Sequence, residues 1–392
     1  MRKVSFLLVG MLALAACKKE GCTDEKALNY VEKAKKDDGS CEYEKIIVEP
    51  EVQAPTSYKF ERDGESTVSF SGQSDRLDML SEMVSYMKTT NTSGTSIEAA
   101  KLLDMYGNEN SPFSNPDLNA STKQLKNKTA GDDPTIIAEI EALMKEMARL
   151  SDSTEAGKYE GAEGKAGVVQ SGTKAYFQNE KGQEFTQLIE KGLMGAVFMH
   201  QISFVYLGAS KMDVDNEAKV EGKSYTKMEH HWDEAFGYMF GTVNYPTEGT
   251  GRFWGKYTNG RDDFLGSNEK LMNAFIKGRF AITQKDMTTR DAQIVIIREE
   301  LEKVCAATAI HYLNSTKSKI TDDALRNHAL SEAWAFIGDL KYAKNGKLSA
   351  SEIEAHKSKL GDNFYAVKAA DLTSVRDALA ATYGLESIKE QL

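Results

Sequence analysis

Two short motifs carry the residues most able to do chemistry. His230 and Glu234 are spaced i,i+4, and so are His328 and Glu332. On a helix that spacing leaves two side chains roughly 40° apart, on one face. His231 adds a second imidazole within reach of Glu234, at i,i+3. Imidazole and carboxylate from facing helices suit iron, zinc or manganese, as in carboxylate-bridged bundles. The same pairs could also form a buried polar network, in which Glu accepts a hydrogen bond from His and fixes helix register. Spacing alone leaves both readings open.

The motifs sit inside an internal repeat. His230-x3-Glu234-Ala235-Phe236 matches His328-x3-Glu332-Ala333-Trp334 at an offset of 98, and the apolar run Leu193 to His200 resembles Val304 to His311 at an offset of 111. Each half then holds a buried helix ending in His200 or His311, a connection, and a second helix bearing His-x3-Glu. The difference in offset falls in the connection, where insertions are tolerated. The halves span about 184–245 and 286–345. The expectation is an all-α fold of two pseudo-repeated bundles packed together, about ten helices in all, with the His/Glu residues converging on one site between the halves.

The elements that must position these residues are mostly helical. Tyr58 to Phe70 alternates around Asp63-Gly64, which predicts a small β-hairpin. Ser74 is placed to cap a helix over 75–91, a second helix covers 96–106, and Asp133-Pro134 opens one running to Leu150. Residues 107–119 read as a break and the glycine-rich stretch 151–184 as a long loop. A helix over about 184–208 is apolar nearly all round and belongs at the centre. Arg252 to Tyr257 reads as an aromatic, basic loop between the halves. Asn345-Gly346 imitates the back of a calcium loop, but Lys341 and Ala343 occupy the first ligand positions, so it reads as a helix-turn-helix.

The N-terminus indicates the compartment. Arg2 and Lys3 precede an apolar core, Phe6 to Leu14, too short to span a bilayer, and Leu14-Ala15-Ala16-Cys17 supplies small residues at a cleavage point. This stretch resembles a bacterial lipoprotein signal peptide. The resemblance implies removal of residues 1–16, lipid attachment at Cys17 and an outer-membrane address facing periplasm or exterior. Cys22 and Cys41 are then the natural disulfide pair in an oxidising compartment, and Cys305 a small buried hydrophobe. Residues 21–43 resemble a short disulfide-closed module of secreted proteins with the pattern G-C-T-D…D-D-G-S-C, which implies a stalk. Residues 17–57 therefore read as a lipidated tether with a Pro-containing linker, and 58–392 as the helical domain. A net charge of −10 argues against a nucleic-acid partner.

Residues 58–345, through the segments at 229–241, 275–282 and 327–342, resemble uncharacterised envelope lipoproteins grouped as domain-of-unknown-function family 4856. A weaker similarity is to imelysin-like proteins, two-bundle helical envelope proteins tied to iron uptake, whose signature is Gly-x-His-x-x-Glu. His231-Trp232-Asp233-Glu234 supplies its last four positions, and Glu229 stands where the Gly should be. The chain holds no His-Glu-x-x-His, Gly-x-Ser-x-Gly or phosphate loop, so no catalytic residue is named. The first functional reading is a lipid-anchored envelope binding protein in iron or other transition-metal acquisition. Its candidate ligands are His200, His230, His231, Glu234, His311, His328 and Glu332, and its partners envelope uptake proteins. The alternative is a structural or protein-interaction lipoprotein whose His/Glu pairs brace the bundle.

Overall fold

A computed structural model describes residues 19–43, 53–152 and 160–392. The stretch read as a signal peptide and Cys17, expected to carry the lipid, lie outside the described residues, as do 44–52 of the stretch read as linker. What is described falls into two compact units, one within residues 1–53 and the other Ala54–Leu392. In the small unit Cys22 and Cys41 form a disulfide. Its acidic residues satisfy turns. Asp24 accepts from the Lys26 amide and the Tyr43 hydroxyl, Asp37 from the Gly39 amide, and Asp38 from Ser40.

The large unit is mostly helical, in keeping with the sequence, with small antiparallel strand pairs added. The predicted hairpin is β1 (Glu61–Arg62) and β2 (Glu65–Ser66), turning through Asp63 and Gly64, both in the left-handed region. It leads into α1 (Ser71–Lys88), which begins three residues before the predicted cap at Ser74. α2 (Ala99–Gly107) and α3 (Pro134–Ser151) follow, the latter capped by Asp133 with Pro134 at its first position.

The glycine-rich stretch is not merely a loop. It holds a second hairpin, β3 (Gly167–Ser171) and β4 (Lys174–Gln178), closed by a two-residue turn at Gly172. Val168, Val169 and Phe177 are buried there, an apolar content that the surrounding glycines obscure in the sequence. α4 (Phe185–Leu193) comes next and continues as π-helical segments, Met194–Met199 and Gln201–Tyr206. As its all-round apolar sequence requires, this run is enclosed along most of its length.

α5 (Lys227–Phe240), opened by a Thr226/Glu229 capping box, carries the first His-x3-Glu motif. The stretch read as an inter-lobe loop is instead a helix, α6 (Phe253–Gly260), because Phe253, Trp254 and Tyr257 all turn inward. α7 (Ser267–Gln284) and the long α8 (Met287–Ser318) follow, then α9 (Asp323–Asp339) with the second motif, α10 (Ala350–Leu360) and α11 (Ala369–Tyr383). Glu352 belongs to the capping box of α10, which agrees with a helix-turn-helix at 341–352. α8 packs against α7, α9 and α11, and the small residues Cys305, Ala306 and Ala307 bring α9 close. At Gly278 on α7 an added Cβ would stand 2.2 Å from the Trp232 ring, so only glycine permits this approach of α5 to α7.

A charge cluster centred on the fully buried Arg279 ties the first half together. Arg279 on α7 has no exposed surface; it donates to Glu229 and Asp233 at 3.0 Å each and to Thr67 at 2.9 Å. Arg62 from β1 grips the same Glu229 with two further bonds, and the Tyr58 hydroxyl donates to Asp233 at 2.7 Å. Removing one member of such a cluster strands its partners. Arg279→Met should therefore cost about 3–5 kcal/mol of stability in denaturant unfolding, and a loss below 1 kcal/mol would refute this reading of the cluster.

Candidate functional site

Each His-x3-Glu helix grips a residue at the entrance to another helix, Ser69 two residues before α1 and Glu184 immediately before α4. On α5, the His230 Nδ1 meets the carbonyl oxygen of Ser69 at 3.0 Å, while the Asp233 carboxylate accepts from the Ser69 amide at 3.2 Å. On α9, the His328 Nδ1 meets the Glu184 carboxylate at 2.5 Å, while the Ser331 hydroxyl accepts from the Glu184 amide at 2.9 Å. Asp233 and Ser331 are related by the same offset of 98 as the histidines. A tyrosine ring stacks on each imidazole, Tyr225 on His230 at 4.7 Å and Tyr176 on His328 at 4.1 Å. The gripped residues lie just ahead of α1 and α4, each preceded by a hairpin. These are two copies of one joint.

The sequence holds a signal for this that the offsets 98 and 111 do not contain. Phe70-Ser71-x3-Asp75-Arg76 matches Phe185-Thr186-x3-Glu190-Lys191 at an offset of 115, which also relates Ser69 to Glu184. Ser69, Asp233, Glu184, Ser331, Tyr176 and Tyr225 are thus joint residues that the first reading missed.

The two glutamates sit in different surroundings. Glu234 accepts from His231 Nδ1 and from Gln73, both at 3.0 Å, and its other oxygen contact is His230 Nε2 at 3.9 Å. Tyr206 and Lys128 also face it. Burial pushes the Glu234 carboxyl up, but His231, His230 and Gln73 outweigh it and hold the group below the usual range. Glu332 lies 3.6 Å from His328 Nε2, with Tyr312, Tyr257 and the buried Lys191 around it. Burial alone would lower the His328 pKa, yet Glu184 and Glu332 on its two nitrogens raise it overall. His230 goes the other way: burial is dominant and lowers it.

The sequence led to the expectation of one site between the halves. The structure places two. His231 stands beside Tyr206 at the C-terminal end of the α4 run, and His328 beside Glu184 at its start. Those ends are separated by roughly 30 Å of helical rise. His200 and His311 join neither joint. His200 is stacked on Phe204, with its Nδ1 buried and unpartnered, and burial lowers its pKa. His311 packs against Tyr312 near the C-terminal Leu392, its pKa pushed down to about 4 by burial and then by Arg261 and Lys319. Among the described residues no group of three or more His, Cys, Asp or Glu side chains is arranged to hold a metal ion.

Paired hairpin-helix joints in a mostly helical unit define the class of protein. The chain belongs to the family described as a domain of unknown function (DUF4856), whose model matches residues 55–386. No curated protein and no solved structure matches it. Glu229, where the imelysin-like signature has Gly, is both the capping residue of α5 and a partner of Arg279.

The opposed shifts of the two joint histidines can be tested. The raised pKa of His328 stabilises the fold fully below 6.5, and that contribution is lost as pH rises through the folded value. The lowered pKa of His230 contributes above 6.5 and is lost as pH falls through its folded value. Imidazole NMR titration should find His328 above and His230 below a free histidine; the reverse order would sink the assignment. His328→Ala should cost about 1–3 kcal/mol, because Glu184 is left buried without its partner.

Proposed function

We propose that the protein is a lipid-anchored binding protein of the cell envelope, attached at the outer membrane through Cys17, and that its His-x3-Glu motifs are mechanical joints of the binding domain. The observation carrying the second part is the doubled grip: an imidazole Nδ1 and the side chain three residues on hold one residue at two points, the carbonyl and amide of Ser69 in one joint and the carboxylate and amide of Glu184 in the other. Each Nδ1 is committed to the fold, while His230 Nε2 and His328 Nε2 face Glu234 and Glu332 at 3.9 and 3.6 Å. The anchoring part rests on the sequence alone, on the apolar core and small residues ahead of Cys17.

One observation favours a metal-acquisition role in partnership with envelope uptake proteins. His230 and His231 both face Glu234, in a position that is only partly enclosed. Elemental analysis of tag-free protein decides between the readings. The joint reading predicts substoichiometric iron, zinc and manganese, unchanged in a Glu234→Gln/Glu332→Gln double variant. Stoichiometric metal lost in that variant with the fold retained would establish the metal reading instead. Cys17→Ser should move the protein from the membrane fraction to the soluble fraction, and continued sedimentation in high salt would end the lipoprotein assignment.

A further inference from the structure

A cavity of about 520 Å³ lies between α3, α4, α9 and α10, with Gln183, next to Glu184 of the second joint, among its lining residues. Its walls are apolar and aromatic, with Ile140, Leu143, Leu188, Trp334 and Tyr342 among them. That volume is within the range of sites for small organic molecules. Volume by itself would not distinguish a binding site from a packing defect, but two independent features do.

The first is an orphaned carboxyl. Asp339 lines the cavity, is only 2% exposed, and its Oδ2 is buried with no hydrogen-bond partner. A buried acceptor left unsatisfied is costly, and such groups are rare in native interiors. Burial pushes this carboxyl well above the usual range, against the opposing pull of Lys341, Lys191 and Lys357, which favours the neutral acid. A neutral carboxyl can both give and accept a hydrogen bond.

The second feature is a pair of glycines on the same wall. Gly192 in α4 and Gly338 in α9 both line the cavity, neither has a positive φ, and a Cβ built on either would meet nothing within 4 Å. Glycine inside a helix is unfavourable relative to alanine. Neither backbone conformation nor close packing requires glycine at these positions. What their missing side chains provide is open space in the cavity wall on α4 and α9; Asp339 lines the same cavity with one carboxyl oxygen packed against Gly195 and the other unpartnered.

We propose that this cavity binds a largely aromatic small molecule carrying one hydroxyl or comparable hydrogen-bonding group, which the Asp339 carboxyl receives while Trp334 and Tyr342 enclose the rings. The lining carries charges of both signs, Glu139 and Glu146 against Lys341 and Lys357, so it selects no net charge on the ligand. The site is independent of how the chain is anchored and of whether the joints hold metal.

The test uses the full mature chain with N-phenyl-1-naphthylamine as a fluorescent reporter, and 2-naphthol and 2-methoxynaphthalene as competitors. The reporter should bind saturably with one equivalent per chain. 2-Naphthol should displace it at roughly tenfold lower concentration than its methyl ether, the worth of one buried hydrogen bond. In Asp339→Leu that preference should vanish while the melting temperature rises, because the stranded carboxyl is gone. Gly338→Leu should weaken reporter binding by at least about tenfold. Gly192→Ala, a milder filling that raises helix propensity, should weaken binding without lowering the melting temperature. Absence of saturable binding overturns the proposal. So does equal binding in a folded Gly338→Leu variant, which would mean attachment elsewhere, and so does equal displacement by the two competitors, which would remove Asp339 from the site.

Discussion

A guanidinium with no exposed surface has to be neutralised where it lies, and that requirement organises the first half of the molecule. Arg279 reaches Glu229 and Asp233 on α5 and Thr67 beyond the first hairpin. Those acceptors are themselves committed: Glu229 caps α5 and binds Arg62, while Asp233 holds the Ser69 amide and the Tyr58 hydroxyl. Removing such ions from water is expensive, and their mutual attraction offsets this only when every lone pair is used. The cluster therefore specifies one arrangement of hairpin, α1, α5 and α7, and the His230 joint is fixed as a by-product. At the second joint the buried cation is Lys191, which pairs with Glu190 at 2.9 Å and faces Glu332. Ser331 stands where Asp233 does, and the negative charge comes from Glu184 instead.

That exchange explains why the two histidines titrate in opposite directions although their motifs align. His230 hydrogen-bonds a neutral carbonyl and has a carboxylate at a distance, so desolvation wins. His328 is flanked by two carboxylates, so Coulomb attraction wins. Identical spacing gives the same mechanical role with a different electrostatic one.

Much of the large-scale organisation was legible in the sequence. The 3.6-residue apolar periodicity, Asp133-Pro134 and Asp63-Gly64 marked helices and the first hairpin because capping and turn chemistry are local. The second hairpin was not legible, since its short apolar strands are embedded among glycines. The α6 helix was missed because aromatic and basic residues within a few positions suit a loop as well as a buried turn. At the site, spacing identified which side chains share a face but not what faces them. Ser69 acts through its backbone, which leaves no side-chain signature, and the Glu184 contact joins residues 144 apart in sequence. Asp339, Gly192 and Gly338 escaped notice because an unpartnered carboxyl and an empty Cβ position exist only once the neighbours are in place.

The α4 run serves both halves at once. Its start is the segment gripped by α9, and its π-helical end packs against α5 as α8 packs against α9. A repeat protein whose units each own all their helices can be shortened or lengthened by whole units. This one cannot. Cutting the chain on either side of residues 185–206 deprives one half of its gripped helix or the other of its packing partner, so neither half constitutes an excisable domain. Fragment expression, domain swapping and circular permutation are therefore poor routes to a minimal version. Inserted sequence fits better at exposed turns such as Gly172-Thr173 between β3 and β4.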